Sequence, residues 1–292
     1  MKTLSNQQLT IQIKEMGAEL SSIRANASGH EYLWQADPAF WKRHSPVLFP
    51  IVGAVWNNEY RHKGKIYPLS QHGFARDKEF QLVVDKADEV RYRLDSNEET
   101  LALYPFPFRL EIGYRLLGNQ IEVIWSVENS GSELMHYQIG AHPAFYYPDY
   151  GTDCEKRGFF SFDKKEGLNY ILIQEKGCVA TDHYPLTLDA EGMLPLDTHS
   201  FDRDALIFEE EQLHQVTLHN NAREAVLTLH FDAPVVGLWS PPAKNAPFVC
   251  IEPWYGRCDR AGYVGEYGSK DWMQHLQSGE RREVSYRIEI HV

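Results

Sequence analysis

Apolar and polar residues alternate with period two in short runs bounded by Gly, Asn, Asp or Pro, and these runs set the first expectation for the chain. LTIQIK from Leu9, EFQLVV from Glu79, EVRYRL from Glu89, HQVTLH from His214, AVLTLHF from Ala225 and VSYRIEI from Val284 each predict a half-buried strand. Two longer alternating runs between Phe108 and Asn129 flank Gly118-Asn119, a pair that favours the tight turn of a hairpin. Helical signals are few. Ser96 and Glu99 stand at capping-box spacing in SNEETLALYPF, and SKDWMQHL from Ser269 predicts a second short helix. Two short helices do not supply the crossovers of a parallel sheet, so the pattern predicts an all-β, antiparallel β-sandwich with few short helices. With neither an internal repeat nor a Gly/Ser or Pro-rich linker, residues 1–292 are expected to form a single domain.

Composition narrows the partners. A formal net charge of −12 argues against nucleic acid and against an anionic membrane surface, both of which need clustered cations. No stretch has the length of an apolar span, and Met1–Gly17 lacks the core of a signal peptide, so a soluble, cytoplasmic protein is expected. The 4 cysteines lack zinc-finger spacing and are expected to be reduced, with Cys250 a packed core residue.

Candidate chemistry sits where titratable residues interrupt apolar runs marked by Gly or Pro. Glu252 follows Phe248-Val249-Cys250-Ile251, and a carboxylate there needs donors, an ion pair with a residue such as Arg257, or a substrate proton. His142 precedes Pro143 among aromatic residues, as a packed core histidine or a functional one. His72, before Gly73, reads as a hydrogen-bonded turn residue or a ligand, with Arg76 four residues on. Asp204 leads into Ala205-Leu206-Ile207-Phe208, with Asp202 as a rival. Trp239, Trp254 and Phe145 are near these positions, each as a core aromatic or as a face for a sugar.

Taken in order, GAEL (17–20), PVLFPIVG (46–53), GKIYPLSQHGFAR (64–76), GAHPAFYYP (140–148), DALIF (204–208) and CIEPW (250–254) resemble the aldose 1-epimerase, or galactose mutarotase-like, family, in its shorter bacterial LacX-like subgroup. The resemblance spans nearly the whole chain. It implies a supersandwich β-fold and a cofactor-independent, metal-free isomerase that exchanges the α and β anomers of a free hexose, a small-molecule sugar. By position, Glu252 matches the base that takes the anomeric hydroxyl proton, His142 the acid that protonates the ring oxygen, His72 a residue that holds sugar hydroxyls, and Asp204 a sugar-binding aspartate. Arg76 and Trp239 join the expected substrate contacts. At neutral pH an ionised Glu and a charged His are the required complement.

One departure bears on the substrate. Ala54 and its neighbours stand where galactose mutarotases usually carry an arginine, and Arg76 is a cation that can replace it. A hexose-6-phosphate 1-epimerase, with Arg76 joined by Lys42 or Arg43, and a non-catalytic carbohydrate-binding protein on the same fold are the alternatives. A glycosidase would leave both histidines unexplained. The mechanism predicts that Glu252, His142 and His72 converge on the concave face of the larger sheet, with roughly 5–8 Å between Glu252 and His142. If its stretch is extended, Arg76 shares the face of His72 and touches Glu252 or the substrate.

Overall fold

The alternating runs pair as antiparallel sheets in the computed structural model, which describes residues 1–291. The larger sheet has nine strands, in the spatial order Met193–Asp197, Lys156–Phe162, Gln215–His219, Ala225–Phe231, Arg281–Ile290, Gln120–Asn129, Phe108–Leu117, Glu89–Asp95 and Gln81–Asp85. The predicted hairpin is at its centre, in register from Phe108 opposite Asn129 to Leu117 opposite Gln120. Strand Arg281–Ile290 lies between Gln120–Asn129 and Ala225–Phe231 and joins the two halves of this sheet. A second sheet of six strands contains Leu206–Phe208, Val235–Trp239, Phe248–Tyr255, Ile139–Ala141 and Val47–Leu48, with Ala144–Tyr146 also paired to Phe248–Tyr255. A three-stranded sheet, Lys2–Ser5, Leu9–Ile13 and Leu20–Ala25, completes the main packing.

Period two decides what each face meets. On the nine-stranded sheet, Leu110, Ile112, Val123, Trp125 and Ile288 point inward and pack with Leu238, Val249 and Ile251 of the six-stranded sheet in one core. The alternate residues form a charged outer face, where Arg115 bonds both Glu89 and Glu122. Strand Phe248–Tyr255 is buried throughout. Its odd-numbered Val249, Ile251 and Tyr255 face the main core, while Phe248, Cys250 and Trp254 join two small apolar clusters on the other side, with Glu252 between them. The face that carries Glu252 therefore belongs to the six-stranded sheet, not to the larger one as expected. The larger sheet's faces are taken up by the core and by the charged ladder.

Two glycines make room on that face. The Trp254 indole lies flat across the flanking strands, and a Cβ at Gly140 or at Gly237 would come within 2.5 Å of its ring atoms. Gly237 is the residue directly opposite Glu252.

The helical expectations were only partly met. The helix Glu98–Leu103 forms, but Asn97 caps it, in a reciprocal box with Thr100. Ser96, one residue earlier, instead accepts the Phe108 N–H. The SKDWMQHL segment is not helical. Gln274–Leu276 pairs with Met135–Tyr137 as a strand, after a short 3₁₀ turn at Tyr267–Ser269, because tertiary pairing outweighs a weak local preference. No helix among the described residues is long and apolar enough to cross a membrane.

Gly237→Ala should overpack the Trp254 ring and destabilise the fold by about 1–3 kcal/mol, read as a lower urea midpoint at unchanged slope. A wild-type midpoint would show that the ring moves aside at no cost.

Candidate active site

Strand register brings the two central groups together. Gly140 lies opposite Trp254 and Ala144 opposite Cys250, so His142, at the break between those two pairings, faces Glu252. Pro143 follows it and has no N–H to continue the ladder. His142 Nε2 is 3.3 Å from Glu252 Oε2. This is closer than the separation expected for groups flanking a sugar ring, because neighbouring strands hold facing side chains within contact range. Burial is nearly complete, with Glu252 only 1% exposed. Trp41 stacks on the His142 ring at 4.6 Å, and Trp239 and His72 meet that ring edge-on at 5.4 and 5.5 Å.

His72 is held from behind. Its backbone is left-handed, with φ 65°, its N–H donates to the Gly53 carbonyl, and its Nδ1 accepts the Gly53 N–H at 3.1 Å. An accepting Nδ1 places the ring proton on Nε2, leaving a neutral donor on the cleft side. Burial, followed by the nearby His142, holds its pKa well below the usual histidine value.

Arg76 also lines the cleft, though not by the expected route. It sits in the 3₁₀ turn Ala75–Asp77, so strand periodicity does not apply. Its guanidinium donates to the Gln71 carbonyl at 2.7 Å and approaches Asp77 at 3.9 Å, rather than touching Glu252. Its buried Nε makes no hydrogen bond, and burial, with Arg43 beside it, lowers its pKa to about 10.

Asp204 joins the cleft with its carboxylate accepting the Ala205 N–H at 2.7 Å, whereas Asp202 pairs with the exposed His199 at 2.8 Å. Arg257 is not the partner of Glu252. It pairs with Glu209 at 2.6 Å and with Asp271. Phe145 belongs to the main core, while Trp239 and Trp254 line the cleft.

The cleft has a volume of about 670 Å³, within the range of small-molecule sites. Its walls include residues that the sequence analysis did not assign: Phe40, Trp41 and Lys244. The run Phe40-Trp41-Lys42-Arg43, two aromatics followed by two cations, was the available signal. Lys42, Arg43, Arg76 and Lys244 together give the cleft four cationic side chains.

Electrostatics set the resting state of the central pair. Burial, reinforced by Asp204, pushes the Glu252 carboxyl well above the usual carboxylate range. Burial, reinforced by Arg76, pushes the His142 imidazole down to about 3. Both shifts favour a neutral carboxyl facing a neutral imidazole over the ionised pair expected from unperturbed values. Both descriptions hold one proton and differ only in where it sits.

A sequence profile described as aldose 1-epimerase matches residues 1–289. The plasmid-encoded protein LacX of Lactococcus lactis subsp. lactis is 34% identical over 263 residues, 87% of either chain. A galactose mutarotase related enzyme from Lactobacillus acidophilus superposes with a TM-score of 0.92 at 32% identity, covering 100% of this chain and 97% of that one. A galactose mutarotase-like protein from Lactobacillus casei superposes with a TM-score of 0.93 at 31% identity over 100% of both chains.

The buried pair carries a stability signature. A raised Glu252 pKa contributes stability that is fully present below its unfolded value of 4.5 and is lost as pH rises above it. Glu252→Gln removes that dependence, so its melting temperature should gain on wild type between pH 5 and pH 8. A melting-temperature difference that stays constant over this interval would mean that the Glu252 pKa is the same in the folded and unfolded protein.

Proposed function

Because the chain belongs to the aldose 1-epimerase family, we propose that it interconverts the α and β anomers of a free hexose by acid and base ring opening at Glu252 and His142. The observation that carries the reading is the buried 3.3 Å contact between these two groups at a cleft of sugar-binding size. Ring opening breaks the bond between C1 and the ring oxygen, takes a proton from the C1 hydroxyl and places one on the ring oxygen. A pair that shares one proton supplies both halves of this exchange. Sugar hydroxyls donating to Glu252 favour its carboxylate form, and the proton then resides on His142. Glu252 takes the hydroxyl proton, His142 protonates the ring oxygen, the freed aldehyde rotates, and closure on its other face reverses both transfers. No proton or electron is gained or lost overall, and each step is a proton transfer between the sugar and these two side chains. His72 donates from Nε2 to a sugar oxygen, Asp204 accepts from a hydroxyl, and Trp41 and Trp239 offer apolar ring faces.

A second reading, with a hexose 6-phosphate as substrate, is favoured by the cations. In a chain of net charge −12, Lys42, Arg43, Arg76 and Lys244 line one cleft, and Arg43 and Arg76 share a single carboxylate, Asp77. NMR exchange of α-glucose, α-galactose and their 6-phosphates tells the two substrate classes apart. Exchange of none of them, with binding intact, would leave a carbohydrate-binding protein.

Glu252→Gln and His142→Asn should each slow catalysed exchange by about 10²–10⁴-fold while sugar binding persists. His72→Asn should chiefly raise KM. Exchange by Glu252→Gln at the wild-type rate would remove the assigned base.

The rate should form a broad bell in pH. It falls on the acid side as the pair takes a second proton, near the lowered His142 value of about 3. It falls on the alkaline side, well above 4.5, as the pair loses its only proton from Glu252. A narrow bell between about 4.5 and 6.5 would mean that neither group is perturbed.

A further inference from the structure

Cys250 takes no part in the chemistry above, yet it stands beside the groups that do. Two residues before Glu252 on the same strand, it presents its side chain to the same face and is fully buried. Its Sγ, a ring nitrogen of His142 and a carboxylate oxygen of Glu252 all lie within 4.8 Å of one another. A second observation points to a ligand. Glu252 Oε2, the oxygen that faces His142 Nε2, is buried and makes no hydrogen bond, although buried polar atoms are nearly always paired.

Sulfur, imidazole nitrogen and one carboxylate oxygen are the donor set of a borderline-soft cation. Magnesium and calcium need more oxygen donors than this corner supplies. Two N or O ligands on tetrahedral zinc, with bonds of about 2.0–2.2 Å, stand about 3.4 Å apart. The His142–Glu252 contact is 3.3 Å. His142 and Glu252, though not Cys250, line the cleft. Sulfur ligates as the thiolate, so binding releases the Cys250 thiol proton.

We propose that His142, Cys250 and Glu252 form a binding site for a thiophilic divalent cation such as zinc, and that the bound ion reversibly blocks anomer exchange by occupying the acid and the base. The blocking half rests on the function proposed above, whereas the binding half does not.

Cobalt(II) tests the site directly, because a thiolate-to-cobalt absorption band appears only when sulfur ligates the ion. Cys154 is the exposed thiol, so the titration uses metal-stripped Cys154→Ser protein. One equivalent of cobalt should develop the band there, and adding Cys250→Ser should abolish it. Zinc should lower exchange at least tenfold in the Cys154→Ser protein, EDTA should restore it, and the Cys250→Ser variant should keep its exchange rate in the same zinc. Absence of the band, its survival in Cys250→Ser, or equal zinc sensitivity of the two proteins would overturn the proposal. The surface pair His136–His275, 2.8 Å apart, offers nitrogen donors without sulfur and gives no such band. A Cys250-dependent band in a protein that exchanges no anomers would support the site and overturn the function instead.

Discussion

The site depends on one constraint: a carboxyl group is placed on a strand whose every residue is buried. Removing a carboxylate from water is costly, and two buried cations of this protein, Lys270 and Arg257, meet the same cost by ion pairing. Lys270 pairs with Asp259 at 3.4 Å, and Arg257 pairs with Glu209. Glu252 faces an imidazole, with a second carboxylate, Asp204, pushing in the same direction as burial. It therefore resolves the cost by holding a proton. Around that position stand the aromatic shell on His142, the glycines that let Trp254 lie flat, and the backbone clasp on His72.

Much of the fold was legible because alternation is a local property. Each of the six alternating runs overlaps a strand, and the Gly118-Asn119 hairpin is where its turn residues put it. The misses lie where a neighbour or a distant partner decides. Ser96 and Asn97 are both good cap residues, and capping settled one position later than the Ser96–Glu99 spacing indicated. The 274–276 segment carries no strong preference of its own, and Met135–Tyr137 recruits it as a strand.

The site was legible as residue types but not as distances. Glu252, His142, His72, Arg76, Asp204 and Trp239 all line one cleft, as their motifs suggested. The contact between His142 and Glu252 comes from a strand register spanning more than a hundred residues of chain, and local spacing carries no trace of it. The same is true of Trp41 stacked on His142, and of the neutral state of the pair, which burial imposes and residue identity alone cannot show. Cys250 was correctly placed as a packed residue, but packing did not reveal what it packs beside.

The order of the strands has a bearing on how this protein is made. The strand nearest the end of the described chain, Arg281–Ile290, is the keystone of the nine-stranded sheet, with four strands on either side of it. The hub of the other sheet, Phe248–Tyr255, is also translated after every strand it pairs with. A growing chain therefore carries two unjoined half-sheets with open edges until Arg281–Ile290 emerges, and such edges are where chains pair wrongly with one another. A chain released before Arg281 would hold all eight other strands of this sheet and lack the one that joins them.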